Sequence, residues 1–257
     1  MVHSAIGTRH EQRGQPCQDY GNYRFEEPYL IGAISDGAGS AQHSDIGSRI
    51  AVESALETLT KILSREFSQA PTQAAIEQVA PDIFEQMLDD VLCTLHQEAL
   101  INGYKLRDLG CTLLAFVATP HWVAAMQIGD GLMMLRAHAD APYQLLFKPD
   151  KGEFINETIF ITTPDAYHYM SVCVEAVESP FLCAATDGLE RVAVRLQNWE
   201  PFAPFFRPFE DCLLKLPTPA EQHAYLKTFL ESARLNAKTD DDKTMLVCLY
   251  SQQPEEP

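Results

Sequence analysis

The chain is 257 residues long and 46% hydrophobic, and it carries 36 Asp and Glu against 19 Lys and Arg, for a formal charge of −17. That length and apolar content suffice for one well-packed domain, whereas the acidic balance, with no basic block in the chain, argues against nucleic acid and anionic membrane surfaces as partners. No apolar run approaches the roughly 20 residues of a membrane span and no basic-then-apolar leader opens the chain.

The seven cysteines (Cys17, Cys93, Cys111, Cys173, Cys183, Cys212, Cys248) are scattered and contain no CxxC pair. Buried thiols in a cytoplasmic protein are expected, rather than zinc or redox chemistry.

To about residue 36 the texture is that of strands, at 4–8, 19–25 and 29–35, with Glu26-Glu27-Pro28 as a polar turn. The third run ends in Asp36-Gly37-Ala38-Gly39-Ser40. A helix capped by Ser44 or Asp45 follows, with Ile50, Val52, Leu56, Leu59 and Leu63 on its apolar face. Pro71-Thr72 opens a second, in which Ile76, Val79, Ile83, Met87, Val91 and Leu95 recur at three- and four-residue spacing.

From Gly110 the short apolar runs 112–118, 122–128 and 132–136, separated by Thr119-Pro120-His121 and Gly129-Asp130-Gly131, read as an antiparallel meander. The polar stretch 147–170 reads as a long loop or flap near the site. Residues 170–176 and 180–186 form a strand pair, and Asp187-Gly188 leads into a helix. The aromatic stretch from Trp199 to Phe209 reads as irregular and partly buried, 218–235 as the last long helix, with Pro219 in its first turn, and 244–250 as the final strand. With no linker or repeat, residues 1–251 are expected to form a single domain and 252–257 a disordered tail.

Three apolar runs stop at an aspartate followed by glycine, at Asp36-Gly37, Asp130-Gly131 and Asp187-Gly188, and Asp240-Asp241-Asp242 stands before the last strand. Carboxylates at neighbouring strand ends repel one another unless cations lie between them, and hard ions such as Mg²⁺ or Mn²⁺ suit such a set. A lone Asp-Gly is more often a tight turn, and Asp130-Gly131, between two strands, has the position of a hairpin turn. Three such pairs on apolar strands favour a shared metal site.

These segments, in this order, resemble the metal-dependent protein serine/threonine phosphatases of the PPM or PP2C type. The resemblance runs through Gly7 with Pro16-Cys17-Gln18-Asp19, Asp36 to Ser40, Asp45 to Arg49, Gly110-Cys111-Thr112, Gln127 to Gly131, Thr186-Asp187-Gly188 and Asp241-Asp242-Lys243-Thr244. More narrowly, the chain is similar to a compact bacterial branch with a Gly-Glu-x-x-Asn-x-Thr segment, here Gly152, Glu153, Asn156 and Thr158.

The resemblance implies an α+β fold, a four-layer α-β-β-α sandwich of two antiparallel sheets flanked by helices. It implies hydrolysis of phosphoserine and phosphothreonine on proteins by a metal-activated water at a binuclear Mg²⁺ or Mn²⁺ centre. Asp36 would bridge the two ions, the Gly37 carbonyl, Asp187 and Asp241 would complete the protein ligands, and Asp19 would act in support. Asp130 matches the position of a third ion in many bacterial members, with the hairpin turn as its alternative. The implied partners are a phosphorylated protein and a serine/threonine kinase, and the implied state is a monomer.

Several positions depart from the family's pattern. Its usual Asp-Gly-His-Gly, whose histidine is often assigned as general acid, has Ala38 here, so a leaving-group proton would come from water, His10 or His43. Gln18 replaces a glutamate. The phosphate-binding arginine falls nearest to Arg13, then Arg9, each of which is otherwise an exposed arginine in a turn. Thr244 could steady Asp241 through its hydroxyl.

Ala38 and Gln18 also suit an alternative, a catalytically weak or inactive regulatory domain, against which the three core aspartates stand. A calcium-binding structural domain lacks its loop of closely spaced acids.

Overall fold

Strands that are apolar at successive positions have to be covered on both faces, and this chain builds two such sheets. The computed structural model describes residues 1–147 and 158–250. In chain order the strands are β1 (Val2–Ala5), β2 (Tyr20–Glu26), β3 (Tyr29–Ser35), β4 (Leu113–Ala118), β5 (Trp122–Ile128), β6 (Leu132–Arg136), β7 (Gln144–Leu145), β8 (Ser171–Ala176), β9 (Phe181–Ala185), β10 (Val194–Arg195), β11 (Glu200–Pro201) and β12 (Lys243–Leu249). One sheet has the order β2-β3-β4-β5-β8 and the other β1-β12-β9-β6-β7, antiparallel throughout, while β10 and β11 form a small hairpin.

The period of two along each strand assigns its side chains to layers. On the first sheet Ile31, Ala33, Leu113, Ala115, Trp122 and Met126 face outward, onto α2 (Ser44–Glu66) and α3 (Gln73–Asn102), which follow the short α1 (Thr8–Arg13). On the second sheet Phe181, Cys183, Met245 and Val247 face α5 (Ala203–Lys215) and α6 (Pro219–Leu230), which lie between the single turns α4 (Glu190–Ala193) and α7 (Ala233–Asn236). Between the sheets Leu30, Ile34, Leu114 and Phe116 meet Met133, Leu135, Leu182 and Leu246. The four α-β-β-α layers are those that the family resemblance implies. No described helix is long and apolar enough to cross a membrane.

Several local expectations are corrected. The run at 4–8 is not one strand, because β1 ends at Ala5 and the chain turns into α1, which Gly14 closes in the left-handed region at φ 63°. β6 does not continue a meander: β4 pairs with β5, but β6 pairs with β7 and β9 in the other sheet. Gly129-Asp130-Gly131 is therefore a crossover between sheets and not a hairpin turn.

β8 and β9 likewise do not pair with each other, since β8 edges the first sheet on β5 and β9 lies between β12 and β6. The aromatic stretch that reads as irregular largely enters α5, where Phe205, Phe206, Phe209 and Cys212 share a buried face despite Pro208 inside the helix. The last helix is broken: α6 stops at Leu230 and the Ser232 side chain caps α7 by accepting from Leu235 N.

Thr72 caps α3 as its sequence suggests, but Ser44 is the buried first residue of α2, which has no side-chain cap. Cys93 is exposed, unlike the buried Cys111, Cys183 and Cys212. Gly152, Glu153 and Asn156 of the branch segment, most of the expected flap's first half and the tail 252–257 lie outside the described residues.

Candidate metal centre

Because the two sheets pack face to face, the end of β3, the crossover after β5 and the end of β9 come to one rim. They carry Asp36, Asp130 and Asp187, and one carboxylate oxygen of each lies within 4.8 Å of the other two. The backbone around Asp36 is pinned by Thr112: Asp36 N donates to Thr112 Oγ1 at 3.0 Å and Thr112 N to the Asp36 carbonyl at 2.8 Å.

Gly129 fixes the next carboxylate. Its φ of 111° suits glycine, and a Cβ there would stand 2.5 Å from the Thr112 side chain. Thr158 Oγ1 then donates to Asp130 Oδ2 at 2.7 Å, and the buried Asp130 Oδ1 has no partner among the described residues. A carboxylate with an orphaned oxygen, in a cluster with two more carboxylates, fits a hard divalent cation, which would give the oxygens a ligand role and cancel the repulsion.

The electrostatics of the metal-free cluster agree. Burial, followed by the charges of Asp19 and Asp187, pushes the Asp36 carboxyl well above the usual range. Burial also lifts Asp187 to about 6, with the Asp130 charge as the next cause. Asp19 is raised to about 8 by burial, against the opposing hydrogen bond it accepts from Thr186 Oγ1 at 2.6 Å.

Asp241, an expected ligand, lies just outside this oxygen cluster. Its Oδ1 accepts from Arg9 Nη2 at 2.8 Å, and together with Arg9, Asp187 and Gly188 it lines an adjoining cleft of about 540 Å³. The residue that the sequence reading passed over is Asp242, which is 3% exposed and accepts from Gly7 N at 2.6 Å, Gln18 N at 2.6 Å and His10 Nδ1 at 2.9 Å.

Two glycines hold the 240–242 segment in place. A Cβ on Gly7 would lie 2.3 Å from the Asp241 carbonyl carbon, and one on Gly188 would lie 2.0 Å from the Asp242 carbonyl oxygen. Lys243 is fully buried behind them and donates from Nζ to the Asp241 carbonyl at 3.1 Å. A signal was available: successive residues entering a strand point to opposite sides, so Asp241 and Asp242 cannot both face the rim.

Residues 6–231 match the family described as Protein phosphatase 2C. The chain belongs to the protein phosphatase 2C family. It is 30% identical to serine/threonine-protein phosphatase 3 of Escherichia coli (strain K12) over an alignment 269 positions long that covers 97% of each of the two chains. In fold it is similar to the S. agalactiae serine/threonine phosphatase (TM-score 0.63, 16% identity, 98% of both chains). It is also similar to the serine/threonine phosphatase Stp1 of Staphylococcus aureus (TM-score 0.62, 13% identity, 98% of this chain and 94% of that one). The family match stops before the final strand, so for Asp241 and Asp242 the geometry above carries the argument.

Within this phosphatase 2C chain the remaining expected residues take unequal places. Ala38 is buried with its N–H donating to the Gly110 carbonyl at 2.9 Å. His10 is committed to Asp242, and His43 stacks on Tyr104 with ring centroids 3.8 Å apart, so each histidine has a packing role. Gln18 contributes its backbone to Asp242 and accepts from Ser48 Oγ at 2.6 Å, while its buried Oε1 has no partner. Arg9 and Arg13 both sit on α1 rather than in a turn, and only Arg9 lines the cleft. Thr244 does not steady Asp241: its Oγ1 donates to Ser4 Oγ at 2.6 Å across the β1-β12 pairing.

The raised carboxyls of this phosphatase 2C site fix the sign of a pH effect. Asp19 and Asp187 bind more protons folded than unfolded from their ordinary value of 3.8 up to about 8 and about 6, respectively. Their contribution to the stability of the metal-free protein is full below the unfolded value and is lost as pH rises through the folded one. Cations held there would displace those protons. The rise in melting temperature on adding Mn²⁺ should therefore be small at pH 5 and grow to pH 8, measured by calorimetry against chelated protein. A metal-induced shift that does not vary with pH would contradict the coupled cluster.

Proposed function

We propose that this chain hydrolyses phosphoserine and phosphothreonine on proteins at a Mn²⁺- or Mg²⁺-loaded centre, over residues 1–251 as one catalytic unit. The observation that carries the reading is the convergence of Asp36, Asp130 and Asp187 on one rim, with a buried carboxylate oxygen left unpartnered. Asp36, Asp130 and Asp187 would hold the cations, joined by the Gly37 carbonyl and by Asp241 from the adjoining cleft. Bound there, the cations would acidify the attacking water and neutralise charge on the phosphoryl oxygens.

The chain's own groups do the rest. Asp19, gripped by Thr186 beneath the cluster, keeps an acceptor beside Asp36 and orients what that residue binds. Arg9, its side chain 40% exposed at the cleft and its buried Nε without a partner among the described residues, is better placed than Arg13 to bind phosphate oxygens. Ala38 offers no acid, so the leaving alkoxide takes its proton from solvent. We further propose that the substrate is phosphorylated by a serine/threonine kinase and that the enzyme acts as a cytoplasmic monomer.

The test is phosphate release from a phosphothreonine peptide and from p-nitrophenyl phosphate with Mn²⁺, with Mg²⁺ and with chelator. Turnover that needs a divalent cation supports the proposal; folded protein that turns over neither substrate with either ion sinks it.

A further inference from the structure

The helical layer over the second sheet is not closed. Between α4 and β10 on one side and α5, α6 and α7 on the other runs a cleft of about 1090 Å³. Its floor is aromatic: the rings of Phe205, Phe209 and Phe229 lie with centroids 5.0 to 5.7 Å apart. Phe202 and Tyr225 stand at its edges, 38% and 39% exposed. An apolar trough of this size is of the kind that binds something.

The charges along the rim indicate what. In a chain of net charge −17, the rim gathers Arg191, Arg195, Arg234 and Lys238 around one acid, Glu221, which already accepts from Thr218 Oγ1 at 2.7 Å. Arg195 lies 3.8 Å from Glu200 and over the Phe202 ring. Arg191, Arg234 and Lys238 form no salt bridge among the described residues. Arg191 and Lys238 also line the cleft that holds Asp187 and Asp241, so the trough neighbours the cleft beside the metal centre.

We infer that this trough binds the segment of the phosphoprotein substrate that flanks the phosphorylated residue, and that this segment carries large apolar side chains together with acidic ones. The inference rests on the function proposed above. Aromatic rings supply the anchor, and the three cations with no salt bridge among the described residues, Arg191 on α4, Arg234 on α7 and Lys238 just after it, suit several separated acids on one chain better than a single headgroup. The rest of this acidic surface repels such a segment, so charge steers it to this rim.

The test compares two phosphothreonine peptides with the same core, one flanked by Phe and Asp residues and the other by Ala and Ser. Native protein should show kcat/KM about tenfold higher for the first, a factor typical of one anchoring contact. Arg234→Glu and Tyr225→Ala should remove that preference, with the control peptide and p-nitrophenyl phosphate hydrolysed at the native rate.

Equal kcat/KM for the two peptides in native protein, or variants that slow all three substrates alike, would overturn the inference. Absence of all hydrolysis would count against the proposed function instead. Anisotropy of the labelled, unphosphorylated Phe/Asp peptide then decides the trough: saturable binding lost in Arg234→Glu supports the inference, and no binding overturns it. Binding of an alkanoate without any peptide effect, or self-association abolished by Arg234→Glu, would give the trough another occupant and overturn it as well.

Discussion

Asp36→Asn should lower metal-dependent phosphate release about a thousandfold or more, the scale on which an electrostatic centre of this kind acts, while the metal-free protein melts at an unchanged or higher temperature. The two effects share one cause. Asp36 sits against Asp19 and Asp187 with its carboxyl raised well above the usual range, first by burial and then by their charges. An amide of the same shape keeps the backbone hydrogen bonds to Thr112 and removes one source of repulsion, so the scaffold gains or holds stability. The same amide, carrying no charge, would hold a cation far less well, so turnover should fall. Steady-state kinetics beside chelated melting curves read both. Loss of activity together with a large drop in melting temperature would make Asp36 a structural residue.

Asp242→Ala should act in the opposite way. The substitution strands the backbone donors of Gly7 and Gln18 and the ring of His10 in a site that is 3% exposed. Removing one partner of such a buried network costs about 3–5 kcal/mol, and in a chain of this size the melting temperature should fall by roughly 10 °C or more. Asp241→Ala, which loses the partly exposed contact to Arg9 and the bond that Asp241 Oδ1 accepts from Asp242 N at 3.1 Å, should cost less, about 1–2 kcal/mol in stability, yet weaken metal-dependent turnover. Equal melting temperatures for the two variants would show that the Asp242 network is not what holds the loop.

The contrast marks how far the sequence could be read. Layers were legible, because β3, β4 and β5 are apolar at nearly every position, Ser35 and Gln127 apart, and α3 repeats at helical spacing. Which strand pairs with which was not, since Gly129-Asp130-Gly131 has the composition of a hairpin turn whether the chain turns back or crosses to the other sheet. Only the tertiary partner of β6 decides, and that decision also takes Asp130 from a turn residue to a member of the oxygen cluster. Asp36 and Asp187 could be picked out because each ends an apolar run. Asp241 and Asp242 differ by one position in an acidic triplet, and the burial that separates them comes from Gly7 and Gln18, far away in the chain. α5 was missed because Pro and Phe content masked its spacing, although Phe205, Phe209 and Cys212 recur at three to four residues.

The bond from Gly7 N to Asp242 joins residues 235 positions apart, and among the described residues β1 has no neighbour in its sheet other than β12. A ribosome must therefore release about 235 residues after Gly7, the span of that bond, before the segment that carries Asp241 can be seated, and contacts of such long range form late. Until then Asp36 and Asp187 can be in place while the rim stays incomplete. The same seam makes the enzyme vulnerable to a single cut: a protease that clips the turn before β12 would free Asp241 and Asp242 from Gly7 and silence the centre with the rest of both sheets intact.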